Sequence, residues 1–378
     1  MESIHDIGSG RGAVRRVVLL VGLAVGLLAA VLALGRTAGA QESEEGLPEN
    51  EYCLGCHSQP GLQTTLPSGE VLDLTFDTGA FEASVHGRFD IPCVLCHTDI
   101  REFPHDPITA ADVREFSQQR ADACIGCHLD QYEEAADSVH AQARAAGNPQ
   151  AAVCTDCHGA HDTSRPEPHS TEIPRTCQTC HSEIFDLYAE SVHGEALSVG
   201  NRDVPTCTDC HGVHDVEGPS RPEFHLFSPQ ICADCHADED LMDRYGISTE
   251  VFDTYIADFH GSTVVLFEQL APDQETNKPV CIDCHGVHAI KSEDDPDSTV
   301  FKSNILQTCQ RCHPDATENF PGSWLSHYVP SWENAPVVFG VQLFYRIFIP
   351  LIVGGMALFV VIDVVRSISA RRRSSGDA

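Results

Sequence analysis

Lysine is almost missing from this chain: Lys278, Lys291 and Lys302 are the only three. With 23 basic against 56 acidic residues the formal charge is −33. That argues against nucleic acid as a partner, because a phosphate backbone needs a basic surface. Methionine is as scarce, with Met1, Met242 and Met356 alone. Two of these lie in or beside apolar end segments, so thioether ligation of a metal is closed off at all but one position. Loose cysteine is absent too. All eighteen cysteines fall into nine C-x-x-C-H units, which leaves none over for a separate disulfide framework.

Long apolar runs occur only at the two ends. Residues 17–35 ("VVLLVGLAVGLLAAVLALG") follow Arg11, Arg15 and Arg16 and precede the small-residue site Ala38-Gly39-Ala40. Residues 1–40 therefore read as a secretory signal peptide, with an uncleaved N-terminal anchor as the alternative because the run is long. Residues 347–366 are apolar enough to span a bilayer, and Arg371, Arg372 and Arg373 follow. Basic flanks stay inside. The expectation is a cytoplasmic tail at 367–378, a juxtamembrane segment at 329–346 and an extracytoplasmic domain at 41–328. The location expected is the inner cell membrane, single-pass, with that domain on the periplasmic side. An apolar helix flanked by arginines argues against a strand of an outer-membrane barrel.

The nine units comprise Cys53, Cys56 and His57; Cys93, Cys96 and His97; Cys124, Cys127 and His128; Cys154, Cys157 and His158; Cys177, Cys180 and His181; Cys207, Cys210 and His211; Cys232, Cys235 and His236; Cys281, Cys284 and His285; and Cys309, Cys312 and His313. C-x-x-C-H is the attachment pattern of c-type haem. Two thiols about one turn apart form thioethers with the two vinyl groups, and the next histidine becomes the proximal iron ligand. Zinc sites or disulfides would explain the cysteines but not a histidine after every pair.

An iron held by one histidine has a sixth position to fill. Twelve histidines lie outside the motifs. Five stand in "SVH"-type contexts: His86, His140, His193, His260 and His327. His161, His214 and His288 stand in "CHG-x-H", and His105 ("CHTDIREFPH") takes the matching place in the first repeat. These nine are the candidate distal ligands. His5 precedes the export segment, and His169 and His225, in "RPEPH" and "RPEFH", read as surface-loop residues. A histidine three places after its own proximal ligand leaves the same side of the backbone, so it serves another haem. The stretches 129–147 and 182–200 read as helices ending at Gly147 and Gly200. They separate His128 from His140, and His181 from His193, by about 18 Å at roughly 1.5 Å per residue.

The motifs pair into modules at about 51–115, 116–171, 172–228 and 229–303, followed by a half-module at 304–327. Internal duplication is the simplest account. So little chain per haem cannot build an ordinary apolar core. The fold class expected is mainly α with much irregular loop: an elongated, haem-dominated multihaem cytochrome c fold with nine covalent c-type haems and one C-terminal transmembrane helix.

On the nine C-x-x-C-H units with "SVHG" and "CHG-x-H", the chain resembles the extracytoplasmic multihaem c-type cytochromes over residues 51–327. The stem "LSHYVPSWENAPVVFGVQLFYRIFIP" is similar to that of membrane-anchored members. These dock to a b-type cytochrome or another quinone-reactive subunit, and residues 347–365 contain no histidine that could hold a b haem alone. The resemblance implies electron relay between that partner and a periplasmic or extracellular redox partner. The alternative is a reductase of the nitrite, hydroxylamine or tetrathionate type. That class keeps an open haem, often on C-x-x-C-K, which does not occur here.

Overall fold

The computed structural model describes residues 49–374 except 101, 219–220, 273, 275–276, 324–326, 328 and 334. The expected signal segment and His5 lie outside the described residues. The described chain is mostly short helices joined by irregular loop, in agreement with the expected class.

The first module contains α1 (Asn50–His57), a hairpin of β1 (Gln63–Thr65) and β2 (Val71–Asp73), α2 (Thr78–Ala83) and α3 (Cys93–Cys96). The hairpin is antiparallel, with Thr64 opposite Leu72. The second has α4 (Val113–Ala121), α5 (Leu129–Ala136), α6 (Val139–Ala145) and α7 (Cys154–His158). The third repeats this with α8 (Glu172–Gln178), α9 (Ser182–Ala189), α10 (Val192–Ser198) and α11 (Cys207–His211). In the fourth come α12 (Pro222–His236), α13 (Glu239–Met242), α14 (Val251–Ala257), α15 (Phe259–Leu270) and α16 (Cys281–His285). α17 (Ile305–Gln310) carries the last motif, and α18 (Pro336–Ser374) ends the described chain.

The two expected long helices are each broken in two, α5 from α6 and α9 from α10. The breaks fall at Ser138 and Ser191, whose hydroxyls accept from the N–H groups of Ala141 and Gly194 at 3.1 Å. An N-cap serine bonds the orphan donors of a new first turn. Both serines are buried, Ser191 to 1 % exposure. Ser84 bonds the Gly87 N–H in the same way, and Asp258 takes over with Gly261. At these four places the "SVH"-type pattern is thus an N-cap that starts a new helix direction two residues before the ring.

Modules are clasped by one recurring backbone bond. The N–H after the capping serine donates to a carbonyl two residues beyond the "CHG-x-H" histidine of the following module. Val85 donates to Thr163, Val139 to Val216 and Val192 to Ile290, each at 2.9 Å. Apolar packing is thin by comparison. One cluster, Leu226, Tyr255, Val264 and Val280, fills the fourth module. Tyr255 there donates its hydroxyl to the Pro279 carbonyl at 2.9 Å, and Tyr188 repeats the bond to Pro205 at 2.8 Å.

From Pro336 on, the expected juxtamembrane segment belongs to the same helix as the apolar stretch. α18 runs unbroken for 39 residues and through Pro350. Its Pro336–Ser369 stretch is long and apolar enough to cross a membrane.

Candidate functional site: nine histidine pairs along one cavity

Odd and even motifs are built differently. The first, fifth, seventh and ninth begin in the final turns of longer helices, and the third lies in a 3-10 segment, Asp122–Gly126. The even motifs are single free-standing turns. Three of these are capped alike: the aspartate between the two cysteines bonds the backbone N–H preceding the turn. Val153 donates to Asp156 at 2.7 Å, Thr206 to Asp209 at 2.6 Å and Val280 to Asp283 at 2.7 Å. Gly159, Gly212 and Gly286 end these turns at φ 69°, 82° and 84°, a region costly for any residue with a Cβ. The glycine swings the chain so that the next histidine leaves its own motif.

Each motif histidine faces one other histidine ring. His57 faces His105 with ring centres 6.5 Å apart, and His97 faces His161 at 6.1 Å. His128 faces His86 at 6.1 Å, His158 faces His214 at 6.1 Å, and His181 faces His140 at 6.2 Å. His211 faces His288 at 6.0 Å, and His236 faces His193 at 6.4 Å. His285 faces His327 at 6.2 Å, and His313 faces His260 at 6.3 Å. A metal–imidazole bond of about 2.0–2.1 Å on each side, with about 1.2 Å from nitrogen to ring centre, separates the centres by about 6.4 Å. Every gap therefore fits one metal atom between two imidazoles.

The pairs obey two rules. "SVH" histidines reach forward to the next odd motif: His86 to the third, His140 to the fifth, His193 to the seventh and His260 to the ninth. "CHG-x-H" histidines reach back to the preceding even motif: His161 to the second, His214 to the fourth and His288 to the sixth. Only the ends break the pattern. His105 turns to the first motif, and His327, from the stem, turns to the eighth.

The thiols form a line. Within each module the first cysteines of both motifs share a hydrogen bond: Cys53 with Cys93, Cys124 with Cys154, Cys177 with Cys207 and Cys232 with Cys281. Between modules the second cysteine of each even motif feels the charge of the next: Cys96 of Cys127, Cys157 of Cys177, Cys210 of Cys232 and Cys284 of Cys309. None of the eighteen is in a disulfide. One cavity of about 4310 Å³ touches every motif, against about 300–1,000 Å³ for an ordinary small-ligand pocket. Among the described residues no group of three or more histidine, cysteine or acidic side chains is arranged to hold a metal ion by itself. Paired rings along a long cavity suit a planar metal macrocycle better than a tetrahedral ion.

At nine of these imidazoles burial favours the neutral ring, the form that binds metal. Desolvation, followed by the charge of Arg120, lowers His97 to about 4. Desolvation, followed by His236, lowers His193 to about 4. His140, His158, His161, His236, His285, His288 and His327 are lowered for the same first reason.

His169 and His225 are not free loop residues. His225 Nε2 lies 3.0 Å from Asp283, and His169 Nδ1 lies 3.1 Å from the Val204 carbonyl and 3.7 Å from Asp209. Arg114 grips Asp156 through two 2.8 Å bonds. The capping aspartate of three even motifs is thus braced by a basic group earlier in the chain: Arg114 on α4, His169 in a loop and His225 on α12. Sequence reasoning passed over these aspartates, although "CTDCH" and "CIDCH" display them.

A family model described as a doubled CXXCH motif matches residues 146–185, a stretch that contains the fourth and fifth units. No solved structure matches the chain. The doubled motif indicates covalently bound c-type haem, of the kind multihaem c-type cytochromes carry.

Proposed function

We propose that the chain binds nine c-type haems, each closed by two imidazoles, and relays electrons between a quinone-linked membrane partner and a periplasmic or extracellular acceptor. The observation that carries this is the match of nine motif histidines to nine facing rings, strung on an unbroken line of neighbouring thiols. When bound, the haems supply reversible one-electron chemistry at iron. The residues do the rest. The thiols set the neighbour-to-neighbour spacing, the motif histidines are the proximal ligands, and His86, His105, His140, His161, His193, His214, His260, His288 and His327 are the distal ones. Filling both axial positions excludes substrate and water from the metal, which suits relay and disfavours the reductase alternative.

The acidic body calls for a soluble partner with a basic docking face. The apolar α18 calls for a membrane partner such as a b-type cytochrome or another quinone-reactive subunit, with the haem domain on the extracytoplasmic side. The test is a haem count with electron paramagnetic resonance of the purified full chain. Nine low-spin centres are expected. A ligand-responsive high-spin centre in the untreated protein would favour a reductase.

A further inference from the structure

We propose that electrons pass between the membrane and the array at the haem on Cys281 and Cys284, the eighth in sequence, and not at the ninth. The inference rests on the relay reading and names its membrane-side port.

The C-terminal end is where the strap rule fails. The repeat would complete the eighth site from a tenth motif, which the chain does not have. His327 fills the place, its ring 6.2 Å from that of His285. This histidine belongs to no module; it sits on the stem of the anchor. Four residues on, the chain is already folded onto the helix. The Ala335 N–H bonds the Ser331 carbonyl at 3.0 Å and the Phe339 N–H bonds that of Ala335 at 2.9 Å. Trp332 lies against Phe339 with ring centres 4.9 Å apart. Four residues span at most about 14 Å at roughly 3.6 Å each, so the eighth site is tied within that reach of the hydrogen-bonded stem.

The ninth site has no such tie. His313 is faced by His260, from α15 of the fourth module. Phe259, at the clasp position there, is 80 % exposed. Along the thiol line the ninth site is a terminal spur beyond the eighth, through Cys284 and Cys309. A port requires a fixed distance and orientation to its donor. Only the eighth site has an axial imidazole on the chain segment that enters the membrane helix.

The step balances with a lipid-soluble quinol as reductant. The quinol loses two electrons and two protons and becomes quinone. Each electron takes one ferric iron to ferrous, and the protons go to water on the extracytoplasmic side.

The test uses the full chain in native membranes with its partner. His327→Ala and His260→Ala should each yield one high-spin haem by electron paramagnetic resonance, with nine haems retained. Stopped-flow reduction by a short-chain quinol should slow at least about tenfold in His327→Ala and by clearly less in His260→Ala, whose own high-spin haem controls for the loss of a ligand as such. Full reduction by dithionite should be unchanged in both. If His260→Ala slows and His327→Ala does not, the port is the ninth haem. If both match wild type, it lies elsewhere, and in either case the proposal falls while the relay stands. Should the wild type take no electrons from the quinol although dithionite reduces all nine haems, the quinone-linked reading fails, and the port with it. Where His327→Ala does not assemble, His327→Met keeps a ligand and raises that haem's potential. The quinol rate should then respond more strongly to His327→Met than to His260→Met; the reverse overturns the assignment.

Discussion

At the residue scale the protein depends on keeping imidazoles neutral and aimed. His193 shows both. Ser191 starts its helix, and burial lowers the ring to about 4, below the usual value near 6.5. A histidine whose folded value is lowered contributes its full stability above about 6.5, and that contribution is lost as pH falls from 6.5 towards 4. Acid titration followed by the low-spin to high-spin change should therefore open the His193 site as pH falls from about 6.5 towards 4. That phase should be missing in His193→Ala. Ser191→Ala should cost about 1 kcal/mol by loss of the cap, seen in denaturant melts, with the haem count unchanged. His193→Ala should convert one haem to high spin, and an unchanged spectrum would reject that ligand.

Among the elements, the free-standing even turns are the vulnerable parts. Four or five residues cannot hold a helix by themselves. The Asp283 cap and its His225 brace secure one such turn, and the Tyr255 bond to Pro279 fixes the strand of chain that enters it. His225→Ala should lower stability by about 1 kcal/mol, the ordinary worth of one such hydrogen bond, and leave every haem low-spin. His288→Ala, at a ring that faces His211, should do the opposite and give a high-spin haem in a folded protein. That pair of variants separates a brace from a ligand by spectrum and not by stability alone. Tyr255→Phe should also cost about 1 kcal/mol, checked by thermal unfolding.

At the scale of the molecule the chain is a linear array. Each interior module both lends rings to its neighbours and borrows rings from them, so stability is a sum of nearest-neighbour terms. His105 and His327 act as caps that turn inwards where the array stops. Removing residues 129–181, one full repeat, leaves every strap with an equivalent partner: His214 replaces His161 at the second motif, and His193 still serves the seventh. The expected product is a seven-haem protein with all centres low-spin, measured by mass and electron paramagnetic resonance. High-spin centres in that product would contradict the forward and backward rules.

The haem attachment was legible residue by residue, because thioether chemistry needs two thiols and a histidine at one local spacing, and no fold is required to see it. The nine candidate straps were legible as well, since "SVH" and "CHG-x-H" repeat with the modules. The helix breaks at Ser138 and Ser191 were missed because a good helical pattern runs across both serines, and a buried cap outweighs propensity. The bracing contacts of His169 and His225 were not legible because their partners, Asp209 and Asp283, lie 40 and 58 residues further along the chain. Local spacing by itself determined what this chain binds and which side chains are available to bind it. Which ring faces which motif, and that the stem histidine turns back to the eighth motif and not the ninth, were decided only by the stacking of modules, because such pairings join residues far apart along the chain.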